Sequence, residues 1–242
     1  MDIAEKVLLL RQDFDDVKAA GYNKGYADGV ATGGDTTEAY NEGFADGIIH
    51  TTMPGLTELT LPEGITEIRP YFYAYSKTLT TVNFPEGLSA INGYAFSQTS
   101  NLRPPTFPDT VETLGDYGFS HIYNFGQYGD LVLPPNLKTI GNYTFAYCQL
   151  FGQDLIIPAS VETIGERAFI RAFGDGTGKV TDTNTTKIYF KGTPQSIAAD
   201  AFTDNYKCCT DIFCPWAEGE VANAPWGASV ATIHYNYVEG AE

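Results

Sequence analysis

From residue 56 onward the apolar positions fall into short alternating runs, and each run stops at a proline. Leu59 and Leu61 precede Pro62, Val82 and Phe84 precede Pro85, Leu131 and Leu133 precede Pro134, and Leu155 and Ile157 precede Pro158. The run before Pro108 is irregular, with Pro105 and Phe107 in the same places. Alternation of period two predicts a strand with one buried face. Proline has no N–H to give to a ladder, so it ends each strand. The five prolines stand 23, 23, 26 and 24 residues apart. Three residues after them come Ile65, Leu88, Val111, Leu137 and Val161; six after, Ile68, Ile91, Leu114, Ile140 and Ile164; eleven after, Tyr73, Phe96, Phe119, Phe145 and Phe169. Gly115, Gly141 and Gly165 hold the seventh place in the last three copies. A diverged sixth copy carries Ile188, Phe190, Pro194, Ile197 and Phe202, and a last strand at 211–215 closes the array.

One strand and one return segment per repeat cannot bury an apolar face alone, so the units must stack. The expected fold is an α/β repeat solenoid with a parallel β-sheet along one face. The inward strand residues, together with Ile68, Ile91, Leu114, Ile140, Ile164, Phe96, Phe119, Phe145 and Phe169, should form its core. The copy Pro158-Ala159-Ser160-Val161-Glu162-Thr163-Ile164-Gly165-Glu166-Arg167-Ala168-Phe169 resembles the BspA-like leucine-rich repeat, as does the copy at 134–145. The resemblance covers about residues 56–215 and implies a right-handed leucine-rich-repeat horseshoe. It also implies binding, commonly adhesion to proteins or cell surfaces, rather than catalysis. Cys148, three residues past Phe145, takes a core-packing role by the same resemblance.

The first fifty residues have a different pattern. Ile3, Val7, Leu10, Phe14 and Val17 follow gaps of four and three, which predicts a helical, coiled-coil-like segment. A lone helix of this length is marginal in water and needs a partner. That partner is either another copy, giving a dimer or trimer, or the first repeat of the same chain. The stretch Tyr22-Asn23-Lys24-Gly25-Tyr26-Ala27-Asp28-Gly29 returns eighteen residues later as Tyr40-Asn41-Glu42-Gly43-Phe44-Ala45-Asp46-Gly47, with aromatics and glycines four apart on one helix face. The expected domains are a helical oligomerisation or attachment segment at 1–50, the solenoid at 51–215, and a C-terminal cap or tail at 216–242. The doubled segment is similar to structural proteins of phages and prophages from gut Gram-positive bacteria. So is the tail from Asp211 through Pro225-Trp226-Gly227 to Asn236. This second resemblance implies a virion component assembled in the bacterial cytoplasm, with other virion proteins as partners. The alternative setting is an extracellular surface adhesin, although Met1–Leu10 shows no basic region ahead of a long apolar run.

Charge narrows the partners. A net charge of −16 argues against nucleic acid, because phosphate contacts need clustered Lys and Arg. It also argues against an anionic membrane surface, and no apolar run approaches the ~18 residues of a membrane span. Catalytic signatures are missing. His50, His121 and His234 lie in unrelated contexts, and neither Gly-x-Ser-x-Gly nor His-Glu-x-x-His occurs. The run Gly174–Val180 fails as a phosphate loop, since Phe173 stands where glycine is needed and Val180 where Ser or Thr is needed. Asp175, Asp182 and Asn184 do not follow calcium-loop spacing. Cys208, Cys209 and Cys214 lack paired zinc spacing and a fourth ligand. With Cys148 they read as reduced thiols. No enzyme, metal or cofactor is expected.

Binding therefore falls to the open face. Between inward positions lie Thr60, Asn83, Thr106, Val132, Ile156 and Tyr189, and beside them Glu58, Thr81, Pro104, Asp130, Asp154 and Lys187. The face starts polar and becomes apolar and aromatic. A ligand-binding strip is expected at Val132, Ile156 and Tyr189, flanked by Asp130, Asp154 and Lys187, for a host-cell protein or glycan. Alternatively the 174–186 insertion covers these strands. A purely structural virion role is the competing function.

Overall fold

The computed structural model describes residues 57–61, 63–123, 125–150, 152–174, 185–205 and 207–240. Within them the repeat is built from two kinds of strand. The first kind precedes the proline or its equivalent: β1 (Glu58–Thr60), β3 (Thr81–Asn83), β7 (Leu155–Ile157), β9 (Thr186–Phe190), β11 (Cys209–Phe213) and β12 (Thr232–His234). The second kind is two residues long: β2 (Glu67–Ile68), β4 (Ala90–Ile91), β5 (Thr113–Leu114), β6 (Thr139–Ile140), β8 (Thr163–Ile164) and β10 (Ser196–Ile197). All pairings are parallel. The short strands form one six-stranded sheet, ordered β10-β8-β6-β5-β4-β2. The longer ones form a β1-β3 pair and a β12-β11-β9-β7 sheet. The single expected sheet is thus one of two lines of strands.

The turn joining the two kinds of strand explains the proline period. The carbonyl of Pro85 accepts the Leu88 N–H at 3.3 Å, and Pro108–Val111, Pro134–Leu137 and Pro158–Val161 repeat the bond at 3.1–3.2 Å. This turn points the third residue inward, and Leu88, Val111, Leu137 and Val161 are buried.

The α part of the expected class is corrected. Among the described residues the return segments hold turns and one 3-10 turn at Phe125–Tyr128, with no α-helix. A left-handed residue recurs every four positions there: Tyr94 and Gln98, Tyr117 and His121, Tyr143 and Tyr147, Arg167 and Arg171, with φ between 49° and 61°. An α-helix needs an unbroken right-handed run, which this pattern interrupts. No helix among the described residues is long and apolar enough to cross a membrane. The helix over 3–20, its seam of Ile3, Val7, Leu10, Phe14 and Val17, and the doubled segment at 22–47 lie outside the described residues, as do 175–184 of the insertion.

The core follows the sequence pattern closely. Of the ten inward strand positions, nine are buried and Phe84 is half-buried. Behind them the rings of Tyr73, Phe96, Phe119, Phe145, Phe169 and Phe202 form one continuous stack, with neighbouring centroids 5.4–5.7 Å apart. The recurrent glycine has a steric cause: a Cβ on Gly141 would lie 2.7 Å from Asp116 N and 2.8 Å from the Gly115 carbonyl carbon. Residues 216–240, expected as a cap or tail, add β12 to the sheet and bury Trp216, Val221 and Trp226 against the core.

Candidate binding surface

The longer strands carry outward side chains in one column. Ile156 pairs in register with Tyr189, Tyr189 with Phe213, and Phe213 with His234. Parallel register stacks like positions over one another about 4.8 Å apart, and the rings obey it. Tyr189 and Phe213 stack at 4.6 Å with planes 4° apart, and Phe213 and His234 at 4.4 Å and 8°. Tyr237 tilts against Phe213 at 4.7 Å and Tyr189 at 6.0 Å, so the three rings and the imidazole form one cluster. At its other end Ile156 is 52% exposed and Val132 72% exposed.

Charged groups line this column. Lys187 N–H donates to Asp154 Oδ1 at 3.1 Å, fixing that carboxylate beside β9. Asp211 pairs in register with Lys187 and Thr232, and its Oδ1 lies 2.8 Å from His234 Nε2. Burial alone would raise the Asp211 carboxyl, but the bonds from His234 and Thr210 and the charge of Lys187 hold it below its ordinary value. The Tyr189 phenol moves the other way, raised by burial and then by Asp154, Tyr237 and Asp211. Lys191 sits 6.0 Å from the Tyr189 centroid and pairs with Glu239 at 2.6 Å.

The structure brings Ile156, Tyr189, Asp154 and Lys187 together. Val132 and Asp130 lie on the preceding segment, which forms no ladder strand. Instead the Gln153 side chain accepts the Leu131 N–H at 2.7 Å and donates to the Leu131 carbonyl at 3.4 Å. Phe213, His234 and Tyr237 extend the strip beyond the residues expected from sequence. Spacing alone could have placed Phe213, since it is an outward residue of the strand expected at 211–215.

A second aromatic column runs along the return side. Tyr71, Tyr94, Tyr117 and Tyr143, each nine residues after its proline, stack at 4.5–4.6 Å with planes within 8°. The column ends on Arg167, whose Nη1 donates to the Tyr143 hydroxyl at 2.6 Å and whose Nε donates to Asp200 at 3.0 Å. Each of these tyrosine N–H groups donates to the next repeat, as in Tyr94 N–H to Asp116 C=O at 2.8 Å. Burial, then Tyr94, Tyr143 and Asp116, pushes the Tyr117 phenol up to about 12 despite Arg167. The rings hold one another and the backbone, so this column stiffens the array.

Among the described residues no three His, Cys, Asp or Glu side chains converge as a metal site. All four cysteines are free thiols and buried, and Cys148 Sγ donates to the Phe119 carbonyl at 3.0 Å.

A family model described as BspA type leucine-rich repeat region matches residues 51–172, in six copies. Among solved structures, a leucine-rich repeat protein from Bacteroides ovatus is similar at 16% identity and a TM-score of 0.33, over 74% of this chain and 60% of that one. The match therefore spans less than two thirds of that protein. No curated protein matches.

Proposed function

The chain belongs to the BspA-type leucine-rich repeat family, and from that membership we propose that it is a non-catalytic binding module whose contact surface is the open face of β7, β9, β11 and β12. The observation that carries this reading is the in-register column Ile156–Tyr189–Phe213–His234, flanked by Asp154, Lys187 and Asp211. Nothing in the core requires apolar side chains on that face. An apolar and aromatic patch with a charged rim is the usual composition of a protein contact site. The partner is a cell-surface protein, met by a chain that is itself presented in several copies through residues 3–17. A virion setting rests on the resemblance of the two chain ends to phage structural proteins, and detection of the chain in purified particles tests it.

The experiment compares adhesion of the labelled chain to intact bacterial and epithelial cells with that of a Val132→Ser, Ile156→Ser, Tyr189→Ser variant. Adhesion lost with an unchanged melting curve supports the reading. Equal adhesion by the folded variant moves the contact to another face.

A further inference from the structure

The line of longer strands is broken between β3 and residues 104–107, and the break is a groove. Pro104 and Pro105 have no N–H, so they cannot continue the ladder. Among the described residues a single backbone hydrogen bond joins the two segments, Arg103 N–H to Thr80 C=O at 3.0 Å. The segments part beyond it and leave a cavity of about 430 Å³. Its floor reaches the edge of the core. Phe84 occupies an inward position yet is only half-buried, stacked on Phe107 at 5.8 Å. Its rim is polar, and the hydroxyls of Thr81 and Thr106 make no hydrogen bond among the described residues.

One wall carries a cation. The Arg103 guanidinium lies 5.4 Å from the centroid of Tyr128, a ring that is 47% exposed. Arg103 has no carboxylate partner among the described residues, whereas Lys138, Arg167 and Lys191 each have one. In a chain with 30 acidic and 14 basic residues, an unpaired guanidinium against a concave wall stands out.

We infer that this groove binds a saccharide residue bearing one carboxylate, of the uronic or sialic acid class. Three features select that chemistry. The planar guanidinium fork matches a carboxylate with two parallel hydrogen bonds. Thr81 and Thr106 supply hydroxyl donors and acceptors for sugar hydroxyls, and Asn83, whose amide N–H groups already donate to Glu58 and Thr60 at 3.0 Å, supplies its Oδ1 as an acceptor, while Tyr128 and Phe84 offer apolar surface to the C–H face of a pyranose ring. The cavity also falls within the roughly 300–1,000 Å³ of small-molecule sites. Charge limits the ligand to one anion. Glu86 stands on the same rim, and the chain as a whole is strongly acidic, so a second negative charge meets repulsion. That disfavours phosphate monoesters, which carry close to two negative charges near neutral pH.

The test is titration calorimetry and saturation-transfer NMR on the full chain. The probes are the methyl glycosides of glucuronic acid and N-acetylneuraminic acid, their carboxyl methyl esters, and glucose 6-sulfate. At least one free acid should bind, its ester should bind about tenfold or more weakly, and Arg103→Gln should cause a similar loss. Arg103→Lys should fall between, because it keeps the charge and loses the fork. Arg103 is exposed, so circular dichroism should confirm that both variants fold. The Ile156→Ser, Tyr189→Ser double variant should bind the acid normally, which separates this site from the aromatic strip. Binding of neither acid, equal binding of acid and ester, tighter binding of the sulfate, or indifference to Arg103→Gln overturns the inference.

Discussion

Replacing Gly141 by Ala adds one methyl group, and the stacking distance of the repeats decides its cost. The new Cβ would stand 2.5 Å from Asp116 Oδ1, 2.7 Å from Asp116 N and 2.8 Å from the Gly115 carbonyl carbon. Real Cβ contacts do not come that close, so something must move. The backbone atoms belong to the preceding repeat, which is clamped to this one by Gly141 N–H to Leu114 C=O at 2.8 Å and by the β5–β6 pairing. The carboxylate could swing away, but Oδ1 accepts the Asn142 N–H at 2.7 Å and Oδ2 accepts the Asn142 amide at 3.2 Å. Overpacking of this kind costs about 1–3 kcal/mol. Loss of a hydrogen bond to an ionised acceptor adds about 1.5–3 kcal/mol if Asp116 turns out. The expected destabilisation is therefore about 1–3 kcal/mol if Asp116 keeps its bonds and about 2.5–6 kcal/mol if it turns out.

Urea unfolding followed by far-UV circular dichroism measures it directly. Gly165→Ala is the replicate, because its Cβ would meet Asn142 N at 2.7 Å and Gly141 C at 2.7 Å. Gly87→Ala is the contrast: φ is +92° and nothing lies within 4 Å, so its cost is backbone strain alone, about 1–2 kcal/mol. Were Gly141→Ala and Gly165→Ala to cost less than Gly87→Ala, close approach of successive repeats would not be the reason for the glycine.

Phe145→Ala removes the fully buried ring between Phe119 and Phe169, and should cost about 3–5 kcal/mol in the same unfolding assay. Burial, then Asp211 and Cys208, pushes Cys209 up to about 12, and burial pushes Cys214 up to about 12. A thiol reagent at pH 8 should thus label none of the four cysteines until urea unfolds the chain. The Asp211 carboxyl is depressed from its ordinary 3.8, so its stabilisation is complete above that value and is lost as pH falls through the folded value. Asp211→Asn should flatten the melting-temperature profile in that acid range. Light scattering should find a dimer or trimer for the full chain, and a monomer after Leu10→Asp and Phe14→Asp.

The core was legible because its code is periodic and depends only on size and apolarity. Ile91, Leu114, Ile140 and Ile164 could be placed by counting from the prolines. The second sheet was not legible, because strands of two residues are too short to show alternation. The tyrosine column was in plain sight nine residues after each of the first four prolines. It was missed because a left-handed tyrosine is disfavoured in isolation and is held here by its neighbours in the stack. The outward column was followed only to Tyr189. Phe213 could have been reached from the strand at 211–215, whereas His234 lies on β12, past the last copy that the proline spacing marks. The groove hides in the third copy, where Pro104-Pro105 reads as an irregular strand and the structure turns that irregularity into an opening.

Two constraints act on the repeat, and they fall on different atoms. Inward side chains must fill a space fixed by the strands, the proline turn and the ring stack, so their identity varies little from Leu59 to Ile212. Outward side chains meet the like position one repeat away and other outward side chains, and none of them fills the core. Thr60 and Asn83 satisfy the ladder as well as Tyr189 and Phe213 do, since both pairs sit in parallel register. The change along the face from hydroxyl and amide to aliphatic and aromatic is therefore not a demand of packing. Leaving Ile156 52% exposed at the head of an aromatic column forgoes the solubility that threonine would give at no cost to the core. A partner that covered those side chains would supply the missing burial, and this is why the carboxyl half of the open face, rather than the amino half, is where we propose contact with another protein.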